Sequence, residues 1–169
     1  KITLKLNNNI ECQNVYFSYS EEDSNVIENL NLKINKGEFI GIKGKTGSGK
    51  STTIDLIMGL ISPSSGQILI DGKDINSYDS LNMRAWRSRV VHVPQSIFLS
   101  DTTIAENIAF GIQSEHIDQK RIEIAAKQAI IDKFIEDTPK GYRTRVGERG
   151  VRLSGGQLQR IGVARSLYR

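Results

Sequence analysis

Eight consecutive residues carry the strongest chemical signal in this sequence: Gly44, Lys45, Thr46, Gly47, Ser48, Gly49, Lys50 and Ser51. Their spacing, G-x-x-x-x-G-K-[ST], suits the cradling of a row of phosphates. Glycines let backbone amides turn inward and approach phosphate oxygens closely. A helix starting near Lys50 would aim its unpaired N–H groups and the positive end of its dipole at the same anion. Lys50 then reaches the β- and γ-phosphates of a nucleotide, and the Ser51 hydroxyl ligates Mg²⁺. An ordinary glycine-rich turn between strand and helix is the plain alternative.

The flanking segments favour the phosphate reading. Residues 39–42 form a short apolar run expected to be a buried strand, introduced by the turn Asn35-Lys36-Gly37. Ile54, Ile57, Met58 and Ile61 recur at helical spacing, and Pro63 followed by Ser64, Ser65 and Gly66 ends that helix. Upstream, Val15, Phe17 and Tyr19 alternate, as do Leu30, Leu32 and Ile34, in the period of half-buried strands. Strand-like runs are also expected at 67–71 and 90–93, with a helix at 80–88 between them. After residue 95 the strand signals stop. Helices are expected at 104–110 and 118–131, the second with Ile122, Ala125, Ala126 and Ala129 on one face. A glycine- and arginine-rich loop at 141–150 precedes a last helix, 154–169, with Leu158, Ile161, Ala164 and Tyr168 at helical spacing. Motif and context together identify a P-loop NTPase, without saying which kind.

A second motif, Leu153-Ser154-Gly155-Gly156-Gln157, opens that last helix. It repeats the device of a serine hydroxyl and glycine amides gathered at a helix N-terminus. Alone it would be a serine cap followed by two flexible residues. Lying about 100 residues after the phosphate loop, with Arg149-Gly150-Val151-Arg152 before it and Gln159-Arg160 after it, it resembles the signature motif of the ABC ATPases. Nearly the whole chain follows that family's order of landmarks. The resemblance implies that Tyr19 stacks on adenine, that Thr46, Ser48 and Thr52 complete the nucleotide contacts of the loop, and that Gln95 contacts Mg²⁺ and the attacking water. It implies catalytic roles for Lys50 and Gln95, Mg²⁺ ligation by Ser51 and Gln95, and contact of Ser154, Gly155, Gly156 and Gln157 with a partner's ATP. Leu158 departs from the family, which more often has a basic residue there.

The implied fold is α/β, a RecA-like P-loop core with an N-terminal antiparallel β subdomain and an α-helical subdomain, incomplete at the C-terminus. The corresponding division is 1–95 for the β subdomain and core, 96–153 for the helical subdomain, and 154–169 for the signature helix. Residues 96–111, SIFLSDTTIAENIAFG, resemble exporters more than importers, and Gly147-Glu148-Arg149-Gly150 resembles an exporter loop that touches transmembrane coupling helices. The expected cofactors are ATP and Mg²⁺. The expected partners are a second ATP-binding domain, paired head to tail, and a transmembrane domain fused upstream, which puts the domain on the cytoplasmic face of a membrane, a bacterial inner membrane. The family's next landmark, an apolar run ending in Asp-Glu and later followed by histidine, does not occur in these residues. His92 and His116 both precede the signature, and plain structural readings suit them. Bound nucleotide without turnover and marginal stability are therefore expected of the 169 residues alone.

Composition is consistent with this and excludes little more. With 38% hydrophobic and 25% charged residues the chain resembles soluble globular domains, and its length suits one domain with a small appendage. No apolar run approaches the ~20 residues of a membrane span, and residues 1–6 lack the apolar core of a signal peptide. Cys12 is the sole cysteine and lies in a strand-like run, so it reads as a small buried hydrophobe. A net charge of +4 suits phosphate, nucleic acid or an anionic surface alike. A soluble ABC ATPase acting on nucleic acid or ribosomes is the competing class. It would need a dense basic patch interleaved with aromatics, or a long coiled-coil insert between Gln95 and Leu153, and neither is present, so no nucleic acid is expected. A non-catalytic nucleotide-binding module is the third.

Overall fold

The computed structural model describes residues 5–20, 22, 24–76, 80–147 and 153–169, apart from the side chains of residues 80 and 81. Glu148, Arg149, Gly150, Val151 and Arg152, in which the sequence suggested a coupling loop and the lead into the signature, lie outside the described residues. The chain forms two compact units, Lys1–Val91 and His92–Arg169.

The first unit is built on a four-stranded antiparallel sheet, with β1 (Asn9–Phe17), β2 (Ile27–Asn35), β3 (Ser65–Ile70) and β4 (Lys73–Asp74) in the order β2-β1-β3-β4. The expected alternation holds within both strands and fails only at Tyr19, which lies beyond the end of β1. Val15 and Phe17 are buried, and Leu30, Leu32 and Ile34 are half-buried between exposed polar neighbours. Both ladders of β1 are irregular around Asn14, which takes a positive φ of 48° and donates its N–H to the Asn31 side chain at 3.0 Å. Such bulges bend and twist a strand locally. One face of the sheet packs with the helix α1 (Lys50–Ile57) into a core that contains Cys12, Val15, Ile68, Ile70 and Leu56. Burial pushes the Cys12 thiol up to about 11, which leaves it protonated and inert at neutral pH.

Two expectations fail in this unit. Residues 39–42, and residues 90–93 at the border with the second unit, belong to no strand. Phe39 is fully exposed, and Ile40 and Ile42 are more than two-fifths exposed. A buried parallel strand is stable only between neighbouring strands. Among the described residues the sheet is an antiparallel set of four strands to which neither segment is paired. The face of α1 is also shifted. Ile54 is exposed, while Thr53, Leu56 and, just past the helix, Met58 turn inward.

The second unit is helical. It contains α3 (Ile104–Ile108), α4 (Gln119–Gln128), α5 (Asp132–Glu136) and α6 (Gly155–Tyr168), with 3₁₀ turns at Ser114–His116 and Gly141–Arg143; α2 (Ser80–Arg87) belongs to the first unit. Ile122, Ala125, Ala126 and Ala129 all face inward, as their spacing predicted, and meet Ile161, Ala164 and Tyr168 of α6 in one core. Tyr168 also accepts a bond at its hydroxyl from the Asp118 N–H at 3.1 Å, and the Arg121 guanidinium lies over its ring. Helix α3 starts with a reciprocal capping box, Thr103 with Glu106. The Thr103 amide and hydroxyl hold the Glu106 carboxyl below the usual carboxylate range. Among the described residues no helix is long and apolar enough to cross a membrane.

The start of β1 is fixed by one carboxylate. Asp71, in the turn after β3, accepts the backbone N–H groups of Asn7, Asn8 and Asn9 at 2.6, 2.7 and 2.9 Å. The bond from Asn7 contributes most to holding its pKa below the ordinary value. A depressed folded pKa stabilises the fold above the unfolded value of about 3.9, and that contribution disappears as pH falls through the folded value. Asp71→Asn should therefore lower the urea midpoint at pH 7, and the gap from the parent should narrow as pH falls below the unfolded value of about 3.9. Urea titrations of both proteins across that range check this, and a gap independent of pH would contradict it.

Candidate functional site

The phosphate loop runs from the segment at 39–42 into α1, and its shape depends on where α1 begins. Gly49 is the N-cap residue, with φ 79° and ψ 9°, and Gly47 is likewise left-handed at φ 81°. A Cβ on Gly49 would meet Ile27 Cδ1 at 2.7 Å and the Val26 carbonyl oxygen at 3.0 Å. Both the conformation and the space therefore demand glycine. The consequence is chemical. Most helices start under a Ser, Thr, Asp or Asn side chain that takes one of the first amides. Helix α1 has no side-chain cap and no acidic residue in its first turn. Its first bond, from the Thr53 N–H to the Gly49 carbonyl at 2.8 Å, leaves the amides before it pointing out of the helix end.

Lys50 lies over the loop. Its ammonium donates to the carbonyl oxygens of Gly44 at 3.0 Å and Lys45 at 2.6 Å, which uses two of its three donors and fixes the cation at the loop. Ser51 is exposed on the first turn of α1, and Thr52 beside it is buried. Thr52 Oγ1 lies 3.1 Å from the hydroxyl of Tyr19. That bond ties an exposed aromatic ring to the helix that carries Lys50. Tyr19 is 66% exposed, and Phe17 packs against its ring edge to face at 5.0 Å. Tyr19 lies two residues beyond the end of β1, not in the strand as its alternation suggested. The first unit thus brings together Tyr19, Gly44, Thr46, Gly47, Ser48, Gly49, Lys50, Ser51 and Thr52.

This end of α1 fits a bound polyphosphate. Uncapped amides, left-handed glycines and an ammonium held at the loop form a cradle for an anion. Among the described residues no cluster of three or more acidic, histidine or cysteine side chains could hold a metal alone. A Mg²⁺ ion held through one hydroxyl and the phosphates themselves requires no such cluster.

The other end of α1 is closed by residues that sequence reasoning missed. Trp86 donates its indole N–H to the Ile57 carbonyl at 2.8 Å, and Arg87 donates to the Gly59 carbonyl at 2.6 Å. Two donors from α2 thus satisfy carbonyls at the C-terminal end of α1, where the dipole favours a cation. No local pattern announces contacts between residues 28 and 29 apart.

The second unit brings together Gln95 and the signature. Gln95, Ser96 and Ile97 line a cleft of about 370 Å³ with Gly155, Leu158 and Gln159. Helix α6 starts differently from α1. Ser154 Oγ accepts the Gln157 N–H at 3.3 Å, and the Gln157 side chain accepts the Ser154 N–H at 2.8 Å. This capping box leaves the Ser154 hydroxyl proton uncommitted to the cap, and the amides of Gly155 and Gly156 stand at the helix start without an intrahelical partner. Among the described residues, a Cβ on either glycine would meet nothing within 4 Å.

A model of the family described as ABC transporter matches residues 27–169. This chain belongs to the ABC transporter family. The ATP-binding domain is 45% identical over 166 residues to ABC transporter B family member 1 of Arabidopsis thaliana, covering 98% of this chain and 12% of that protein. It is 38% identical over 168 residues to the ATP-dependent lipid A-core flippase of Chromohalobacter salexigens, covering 99% of this chain and 28% of that protein. Among solved structures, a bacterial Atm1-family ABC exporter with ATP bound superposes with a TM-score of 0.84 at 36% identity, covering 98% of this chain and 28% of that one. The relatives are exporter-type ABC proteins, and the α/β class with an antiparallel β part and a helical part is the ABC fold. The chain spans little more than a quarter of its bacterial relatives' length.

Gly49 offers a direct test of the ABC loop geometry. Gly49→Ala forces a left-handed alanine, at a cost of about 1–3 kcal/mol, and adds the clash with Ile27. A thermal melt should show a lower midpoint. Gly41→Ala, where a Cβ meets nothing within 4 Å among the described residues and φ is not left-handed, should leave the midpoint close to the parent value.

Proposed function

We propose that this domain binds MgATP through residues 44–52 and that the full protein uses ATP hydrolysis to drive export or flipping of a substrate across a membrane. The observation that carries the reading is the uncapped start of α1 on left-handed Gly49, with the Lys50 ammonium held at the loop. The amides from Gly47 to Ser51 take the phosphate oxygens, Lys50 exchanges its carbonyl partners for the β- and γ-phosphates, and Ser51 offers its hydroxyl to Mg²⁺. A Mg²⁺ ion held through the Ser51 hydroxyl would supply charge neutralisation to the phosphates. Tyr19 presents its exposed ring to the adenine, and its bond to Thr52 keeps that ring aligned with the loop.

In this reading Gln95 orients the water and approaches Mg²⁺. Ser154, Gly155, Gly156 and Gln157 form a second anion site for the ATP held by a partner domain, in a head-to-tail pair. The Ser154 hydroxyl suits this role because its capping bond uses a lone pair and leaves the proton to donate. Nucleotide at that interface biases a closed pair over an open one, which is how binding and hydrolysis are transmitted to a transmembrane domain. The transmembrane domain is fused upstream, and the ATP-binding domain lies on the cytoplasmic face of the membrane. The relatives' names, a lipid A-core flippase and a B-family transporter, support export and leave the substrate class open. Residues 1–169 contain no apolar run ending in Asp-Glu, so on this reading they bind nucleotide without turning it over by themselves.

Equilibrium titration with MgATP tests the reading. Lys50→Ala removes a hydrogen-bonded charge and should weaken binding by about 1.5–3 kcal/mol, roughly ten- to hundredfold. Tyr19→Ala should weaken ATP by about 1–2 kcal/mol through lost stacking and leave inorganic triphosphate unaffected. Equal affinities for parent and Lys50→Ala would contradict the proposal. Steady turnover by residues 1–169 that Lys50→Ala abolishes would contradict the claim that they bind without hydrolysing.

A further inference from the structure

Helix α6 touches the segment that follows Gln95 along most of its length. Gly155, Leu158 and Gln159 line the cleft with Gln95, Ser96 and Ile97. One turn further on, Gly162 is buried, and a Cβ there would meet Ile97 Cδ1 at 2.5 Å and Cγ1 at 2.9 Å. Ile97 therefore sits in a notch that exists only because the helix carries glycine at that point. Glycine inside a helix is intrinsically unfavourable relative to alanine, so the notch is maintained against local preference. Arg165 follows on the same side. Its Nε donates to the Asn107 carbonyl at 2.9 Å and its Nη2 to the Phe98 carbonyl at 3.0 Å, and the guanidinium lies 4.7 Å from the centre of the Phe110 ring.

Asn107 makes this joint stiff. It is fully buried, accepts the Ser100 N–H at 2.9 Å, and has its Nδ2 within reach of the Ser100 and Thr103 carbonyls. The segment after Ile97 is thus folded around one amide, and Arg165 grips both the Asn107 carbonyl and the Phe98 carbonyl. Positions 155, 158, 159, 162 and 165 recur at three- and four-residue steps, which is one face of a helix. Over the ten residue steps from Gly155 to Arg165 that face runs about 15 Å.

We propose that Gly162 with Ile97, and Arg165 with Asn107, are positioning pairs that lock the signature helix to the Gln95 segment, so that Gln95 and the amides of Gly155 and Gly156 move as one body. The inference rests on the nucleotide function proposed above and adds to it a specific mechanical link. Any displacement of residues 96–110 is passed to the start of α6 through the notch and the guanidinium. A rigid link of this kind acts on how often the signature and Gln95 reach their working position together, and leaves the binding of nucleotide at Lys50 unaffected.

The test uses the full-length protein that contains this chain, with ATPase kinetics and amide hydrogen exchange on the same variants. Gly162→Ala should lower kcat at least tenfold while KM for MgATP stays within twofold. Adding Ile97→Ala removes the atoms that clash, and the double variant should recover to within threefold of the parent. Arg165→Lys keeps the charge but cannot span two carbonyls, and should lower kcat in the same selective way. It decides the matter if Gly162→Ala does not fold. A KM that rises in step with the loss of kcat, an unchanged kcat, or a folded double variant without recovery would overturn the inference. In the exchange experiment Gly162→Ala should speed exchange at both 95–98 and 155–159, and acceleration confined to the neighbours of residues 97 and 162 would overturn the link. A parent protein that turns over no ATP would count against the proposed function, and the exchange result would then decide the link by itself.

Discussion

The first amides of an α-helix have no partner within the helix, and how each helix deals with them decides what this domain can bind. Helix α1 begins on Gly49, whose left-handed backbone brings the chain in without a side chain over the helix end. The amides there are available to an anion, and the loop glycines and Lys50 are arranged around that availability. Helix α6 solves the same problem with Ser154 and Gln157, which close a capping box that uses neither the Ser154 hydroxyl proton nor the amides of Gly155 and Gly156. The two starts are complementary in character. One is open and needs a ligand to be complete, while the other is already folded and can meet an anion presented to it.

Each of those helices is held by contacts far from its reactive end. The C-terminal carbonyls of α1 are met by Trp86 and Arg87, so the helix is anchored at the end opposite the loop. Tyr19 adds a tie at the loop end through Thr52. Along α6 the Gly162 notch and the Arg165 grip fix the helix to the segment that carries Gln95. In both units the groups expected to meet nucleotide are presented by elements whose orientation is set by ordinary packing and backbone hydrogen bonds, as rigid presentation of a site requires.

What could be read from the sequence follows from the range of the interactions involved. Gly44 to Ser51 and Leu153 to Gln157 declared themselves because caps, tight turns and helix starts are set by a few adjacent residues. The buried face of α4 was legible for the same reason, since Ile122, Ala125, Ala126 and Ala129 repeat at helical spacing. Residues 39–42 and 90–93 were not, because an apolar run becomes a strand only when neighbouring strands accept its hydrogen bonds. The face of α1 misled for a related reason. Its apolar residues surround much of the helix, and the sheet beneath selects Leu56 over Ile54. Gly162 did leave a trace, a lone glycine inside a helical pattern, but only the structure shows that Ile97 fills the space it leaves.

The central claim is that the start of α1, and not that of α6, is the primary seat of nucleotide in a single domain. Backbone amide shifts of isotopically labelled protein, followed by NMR during a MgATP titration, test it most directly. The account predicts saturable shifts at Gly47, Gly49, Lys50 and Ser51, with Gly155 and Gly156 unmoved while the protein is monomeric. Shifts centred on Gly155 and Gly156, with the loop amides unmoved, would contradict it.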